Sequence, residues 1–443
     1  MRTGTFARAV AVSGAVLLAA TACGGGSDSD DAGASGDSGG DKQVNVYGTD
    51  GNMGNALGAD FTEDGSLAGM KGTTPLTELA GDFTDKLLAV NPDLEDYNYA
   101  GESYDAVVLT ALAAQAAGSN QATVFAPYIN GLTTGGDKCE DFASCLAIIN
   151  AGGNVDYDGI TGPLDFTDAG EPAVASFGLL QFGDDNSLDD DLTEYVLSGD
   201  EANASTDEGP AYAAPNATGE ALTIGTLLPE TGSLAFLGPP EVAGVQLAIN
   251  EVNAAGGVLG NQVALVTGDS GDSSTDIATQ TVDRLLQSGV NAIIGAASSS
   301  VSLNVIDTIT QAGVLQFSPA NTSDTFTTYN DAGLYFRTAP PDTLQARALA
   351  DLIGQDGNNT VGILALNDPY GTGLAENTMN NLLSDGLSED SIKSIIYDPT
   401  AANYDSEVQQ MVDFNPDAIV VIGFEESSKI IQGLNAQGVG PQR

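Results

Sequence analysis

Few residues in this chain could do covalent chemistry, and they are poorly placed for it. Gly36-Asp37-Ser38-Gly39-Gly40 has the form of a serine-nucleophile loop. A serine attacks only when a base takes its proton, and the 443 residues include no histidine. The motif also lies in GGGSDSDDAGASGDSGGDK, a stretch too small and polar to hold a triad in register. Three cysteines are present, Cys23, Cys139 and Cys145. A zinc site needs more soft ligands than these can supply without histidine. No acidic window has the Asp/Asn spacing, glycine and terminal glutamate of a calcium loop. No metal and no cofactor are expected. With no phosphate loop either, the chain reads as a non-enzyme, and carboxylate-only chemistry is the one catalytic route left open.

The charge balance narrows the partners. There are 61 acidic and 12 basic residues, a formal net charge of −49. There is no basic footprint to meet phosphates, so no nucleic-acid partner is expected. The acid excess reads as a solvated surface. The apolar fraction of 42% is ordinary for a folded protein, and the length suits two lobes plus linkers.

The start of the chain reads as an export signal. Arg2 and Arg8 flank MRTGTFAR, and AVAVSGAVLLAA is apolar but too short to span a bilayer. The small residues of ATAC before Cys23 resemble the lipobox of bacterial lipoproteins. That resemblance implies a signal peptide at 1–22, a lipid on Cys23 and a flexible tether at 23–42. The protein would then be anchored at the outer face of the cell membrane. With Cys23 lipidated, Cys139 and Cys145 are left as a close pair in an exported protein, which favours a disulfide.

The elements that must position any site follow a strong rhythm. From Ala221, Val/Ile/Leu-rich strands such as ALTIGTLLP, VNAIIGAAS and DAIVVIG alternate with helices that close on glycine. Such alternation predicts doubly wound α/β layers. A break at FRTAPP separates two lobes. Ahead of these, 43–185 begins on the strand VNVYGTDG and ends on a hairpin-like stretch, VDYDGITGPLDFTDAGEPAVASFGLLQFG. Residues 188–220, acidic and rich in small side chains, read as a linker.

IGTLLPETGSLAFLGPPEVAGVQLAINEVNAAGGVLG, IIGAASSSVS, FSPANTS, FRTAPPDTLQA and NDPYGTGLA resemble the opening half of type I periplasmic binding proteins. The likeness is to the leucine/isoleucine/valine-binding group of ABC transporters. VYGTDG, YAGESYDAVVLTALA and YDGITGPLDFTDAGEPA resemble the closing half of the same family. The halves stand in reversed order, so the resemblance implies a circularly permuted fold. Two Rossmann-like lobes would be joined by a three-strand hinge. Lobe I would comprise 71–154 and 221–338, and lobe II 43–70, 155–187 and 339–443. The chain ends after a helix with no following strand; the strand holding Val44–Tyr47 is expected to fill that place, parallel to Ile419–Ile422.

The resemblance also implies the ligand contacts of an amino-acid binder. Ser299, between Ser298 and Ser300, matches a carboxylate contact. Ala320, through its backbone, and Thr322 match carboxylate and amine contacts. Tyr370 matches a lobe II tyrosine, and Asp50 the acid that takes the α-ammonium. Tyr99 stands at an aromatic position beside the side-chain pocket. Phe424 stands near a family tyrosine whose hydroxyl it lacks. The implied protein is a monomer that captures a small zwitterion by cleft closure and delivers it to ABC permease subunits. A sensor for a signalling partner, or a binder of an amide or aromatic acid, would use the same fold.

Overall fold

The computed structural model describes residues 43–441. The expected signal peptide, the expected tether with its Gly36–Gly40 motif, and Cys23 lie outside the described residues. In chain order the strands are β1 (Asn45–Gly48), β2 (Lys71–Pro75), β3 (Asp137–Cys139), β4 (Val155–Tyr157), β5 (Val174–Gln181), β6 (Glu194–Gly199) and β7 (Thr223–Leu227). They continue as β8 (Ala264–Val266), β9 (Ala292–Gly295), β10 (Leu315–Ser318), β11 (Tyr335–Arg337), β12 (Val361–Leu366), β13 (Ile392–Tyr397) and β14 (Ala418–Ile422).

Two sheets define two lobes. Lobe I is built on a five-stranded parallel sheet ordered β11-β10-β9-β7-β8. Lobe II is built on a seven-stranded sheet ordered β13-β12-β14-β1-β2-β5-β6, in which β5 runs antiparallel to both its neighbours, β2 and β6. Helices cover both kinds of strand, so the central strands are apolar throughout: every residue of β9, β12 and β14 is buried. Helix Ile277–Gln287 buries Ala278, Thr281, Val282 and Leu285, the one-face spacing of a helix on a sheet. Helix Ala100–Ala117 is instead buried from Ala100 through Ala116, which its run of alanines allows. It lies hard against helix Gly238–Ala254, where a Cβ at Gly244 would come within 2.2 Å of the Ala100 carbonyl.

The expected strand adjacency is present. Val46 pairs with Ile419 and Tyr47 with Val420, in parallel, so β1 lies beside β14 in the lobe II sheet. Cys139 and Cys145 form a disulfide, with Cα atoms 5.3 Å apart, tying β3 to helix Phe142–Ala151.

Three boundaries differ from the sequence reading. β2, expected in lobe I, lies in the lobe II sheet between β1 and β5, because its backbone completes both ladders. Residues 155–166, expected in lobe II, belong to lobe I. β4 pairs with β3, and Asp105 binds this segment by accepting from Tyr157 Oη (2.7 Å), Ile160 N (3.0 Å) and both N and Oγ1 of Thr161 (2.9 and 2.7 Å). The acidic tract at 188–220 is not wholly a linker. Its TEYVLSG alternation forms β6, which pairs with β5 and packs Val196 toward the lobe II core. The chain therefore crosses between lobes four times, at 76–80, 167–173, 200–205 and 338–341, one more than the three-strand hinge expected, because the stretch after β6 also returns to lobe I.

Candidate functional site

The carboxyl ends of β1, β9, β10 and β14 open onto one cavity between the lobes, the position where open α/β sheets bind ligands. It is narrow, with a volume of about 20 Å³, and is lined by Asp50, Gly51, Tyr99, Leu234, Leu237, Ala297, Ser298, Ser299, Ala320, Thr322, Tyr370 and Phe424. All seven residues singled out from the sequence are brought together there.

Asp50 follows β1 in a tight turn, in which Asn52 N and Met53 N both donate to the Thr49 carbonyl. Its carboxylate is 6% exposed. Oδ2 accepts from Tyr99 Oη at 2.8 Å; Oδ1 accepts from Tyr370 Oη and Gln345 Nε2, each at 2.8 Å. Burial raises the Asp50 pKa, and these three bonds offset part of that shift. Burial also holds both tyrosines well above the usual phenol range, so they stay neutral donors. Asp50 is the one charged residue among those lining the cavity. An unbalanced buried carboxylate is costly, and a cation brought beside it would relieve that cost.

Tyr99 reaches Asp50 from lobe I. It precedes helix Ala100–Ala117 with φ 60°, a left-handed conformation unusual for a bulky residue. Strain of this kind persists only where the surroundings enforce it, and here the ring is 1% exposed with its hydroxyl fixed on Asp50. Tyr370 stacks on Phe424, with ring centroids 5.5 Å apart and planes 8° from parallel, so Phe424 contributes a flat apolar wall and no hydroxyl.

The serine run resolves into three roles. Gly295 ends β9 at φ 122°, where a Cβ would meet the Leu227 carbonyl at 2.0 Å. Beyond it Ser298 caps helix Ser299–Gln311 by accepting from Val301 N. Ser300 turns away to donate to Asp368 Oδ2 at 3.0 Å. Ser299, 3% exposed, faces the cavity; its Oγ accepts from Ser323 N at 3.4 Å and can donate its own proton. The first turn of that helix adds free N–H groups suited to an anion. Ala320 lines the cavity, and its amide donates to Ser318 Oγ at 3.2 Å. Thr322, 1% exposed, lines the cavity and accepts from Asp342 N at 2.7 Å through its own carbonyl.

The sequence reading missed the apolar wall. Leu234, Leu237, Ala297 and Ala320 pack with Tyr99 and Ala339 into one buried cluster, with Phe236 and Phe424 at its edge. The available signal was the pair of leucines in the glycine-rich TGSLAFLGPP loop after β7. Gln345, one turn into helix Asp342–Gln355, was missed too, and only its three-dimensional position reveals it. Among the described residues, no group of Cys, Asp and Glu is arranged to hold a metal ion, and no helix is long and apolar enough to cross a membrane.

The periplasmic binding protein family profile matches residues 221–443, half of the sequence. The chain belongs to the periplasmic binding protein family. Among its relatives, Leu/Ile/Val-binding protein homolog 8 of Brucella abortus is 30% identical over 231 residues, covering 49% of this chain and 56% of the relative. Leu/Ile/Val-binding protein homolog 2 of the same organism is 35% identical over 173 residues, covering 38% and 45%. The chain thus spans about half the length of the curated relatives it matches. A solved structure of the branched-chain amino acid transporter substrate-binding protein LivJ from Streptococcus pneumoniae, in complex with isoleucine, is 27% identical; it covers 50% of this chain and 62% of that one, with a TM-score of 0.43. Family membership agrees with the mixed α/β architecture, with its parallel five-stranded sheet and largely parallel seven-stranded sheet.

Proposed function

We propose that this protein is the extracytoplasmic substrate-binding component of an ABC importer and captures a small zwitterionic amino acid with an apolar side chain. The observation that carries this reading is the opposition of Asp50, from lobe II, to Ser299 and Thr322, from lobe I, across one cavity with an apolar wall. The ammonium lies against Asp50 and the backbone of Ala320. The carboxylate lies against Ser299, Thr322 and the N-terminus of helix Ser299–Gln311. The aliphatic side chain lies against Leu234, Leu237, Tyr99 and Phe424. The names of the Leu/Ile/Val-binding relatives favour a branched-chain amino acid. Closure of the lobes strips water from these charges, and each pairing becomes a charge-assisted hydrogen bond. Permease subunits receive the ligand, and a lipid on Cys23 keeps the protein at the membrane.

A thermal-shift panel of the amino acids, amides and aromatic acids tests the ligand class. Branched-chain amino acids should give the largest rise in melting temperature. A panel in which only ligands without an amine stabilise the protein would overturn the assignment.

The order of the two halves is part of the same proposal. The adjacency of β14 and β1, far apart in the chain, supports a circular permutation of the family's usual order. A re-ordered chain running from residue 221 through 441 into 43–199 should fold and bind the same ligand. Failure of that chain to fold would count against the permutation.

A further inference from the structure

On either side of the cavity, the two lobes bind each other directly. On one side Asn55, in lobe II, donates through N and Nδ2 to Asp96 Oδ2 and Oδ1 of lobe I, at 3.0 and 2.7 Å. Asn98 Nδ2 of lobe I reaches the Met53 carbonyl of lobe II at 3.1 Å. On the other side Ser300 of lobe I donates to Asp368 Oδ2 of lobe II at 3.0 Å. Ser323 Oγ meets the Pro369 carbonyl at 3.1 Å, and Asn377 Nδ2 meets Asp324 Oδ2 at 2.5 Å. The lobe assignments follow the cores: Leu94 and Phe326 pack in lobe I, and Met53, Leu57, Tyr370 and Leu374 pack in lobe II. Asp96, Asn55, Ser300 and Asp368 do not line the ligand cavity.

We propose that the Asn55–Asp96 and Ser300–Asp368 pairs are two clasps that set how long the lobes stay closed, and so how long a ligand is retained, without touching it. The proposal rests on the cleft-closure reading above. The bonds join groups from opposite lobes, so they break when the cleft opens and form when it shuts. Each places a carboxylate against neutral donors, stronger than a neutral pair yet far weaker than a buried ion pair. Closing also costs desolvation: burial raises the Asp96 pKa and pushes Asp368 up to about 6. A bond offset by such a desolvation cost suits a reversible catch. One clasp on each side of the cavity also resists a twisting opening that a single contact would permit.

Two variants remove one clasp each with little collateral loss. Asp96→Ala removes the acceptor for Asn55. Ser300→Ala removes the donor to Asp368 and leaves the Asp368 cap on Gly371 N intact. Hydrogen exchange of the full chain, with no ligand added, reads lobe opening directly. Amides in 49–58 and 296–303 should exchange about tenfold faster in each variant and about a hundredfold faster in the double variant, as expected for a hydrogen bond to a charged group. Amides in the lobe cores at 107–114, 361–366 and 418–422 should keep wild-type rates. Stopped-flow dissociation of L-leucine should quicken by the same factors. Wild-type exchange around the cleft, or equal acceleration in the cores, would overturn the clasps. If L-leucine fails to bind while cleft exchange responds as described, the clasps stand and the amino-acid assignment falls.

Discussion

Two buried carboxylates near the crossovers meet opposite fates. Glu171, in the 167–173 crossover, accepts from Arg337 Nη2 at 2.5 Å and Nε at 2.9 Å, and from Thr327 Oγ1 at 3.0 and 3.1 Å. Its charge is cancelled by a guanidinium that is itself 1% exposed and further bound by the Asn321 and Ser323 carbonyls. Asp50 is as deeply buried but receives only neutral donors, from Tyr99, Tyr370 and Gln345. The first arrangement is complete and can only stabilise. The second leaves a counter-charge to be supplied from outside. Buried acids of similar geometry can thus be sorted into structural and ligand-seeking by asking where the matching positive charge is.

The largest expected effect falls on the completed pair. Arg337→Ala strands Glu171 without its cation and should cost about 3–5 kcal/mol of stability, read as a drop in the denaturant midpoint. Ligand affinity of the folded fraction should change little. A variant with wild-type stability would mean that Glu171 is relieved by water or by protonation, and the contrast with Asp50 would fail.

Asp50→Ala should do the reverse. It leaves a ligand ammonium buried without a partner, so affinity should fall on the order of a hundredfold or more, about 2.7 kcal/mol. Stability of the unliganded protein should hold or rise, because an uncompensated buried carboxylate is removed.

Acid titration sharpens the comparison at two further buried acids that face no cation. Glu102, at the start of helix Ala100–Ala117, is pushed up to about 8, first by burial. Glu241, in the facing helix, is held well above its ordinary value by burial and by Glu102. Such groups bind a proton more tightly folded than unfolded. Their stability cost is absent below about pH 4.5, grows as pH rises, and for Glu102 is complete near pH 8. Stability should therefore rise as pH falls from 8 toward 5, by up to about 1.4 kcal/mol per pH unit for each such acid, and the melting temperature with it. Glu102→Gln should flatten the profile and raise stability at pH 8. An unchanged slope would show that Glu102 is already ionised in the fold.

The smallest effect belongs to Ser299→Ala, which removes one hydroxyl donor to a carboxylate and leaves helix N–H groups in place. Affinity should fall about five- to twentyfold, less than for Asp50→Ala, by calorimetry. A loss equal to that of Asp50→Ala would mean that the carboxylate, not the ammonium, anchors the ligand.

Much of this was legible in the sequence, for a reason that differs by feature. Strand–helix alternation is a local signal, and the parallel strands buried on both faces made it loud. The adjacency of β1 and β14 and the gathering of Asp50, Ser299 and Thr322 were legible only through family resemblance, since 249 positions separate Asp50 from Ser299. The lobe boundaries were misread because β2 and the 155–166 segment are placed by partners far away, the ladders of β1 and β5 and the Asp105 carboxylate. β6 was hidden by its acidic surroundings: a half-exposed edge strand of six residues carries little apolar signal. The Arg337–Glu171 pair spans 166 positions and leaves no local trace.

The central claim is that Asp50 meets an ammonium across the cleft. A two-by-two calorimetric cycle tests it most directly: wild type and Asp50→Ala, each titrated with L-leucine and with 4-methylpentanoate, which keeps the side chain and carboxylate but lacks the amine. The account predicts that Asp50→Ala weakens L-leucine on the order of a hundredfold while leaving 4-methylpentanoate unchanged or bound more tightly. Equal loss for both ligands, or no loss for L-leucine, would contradict it.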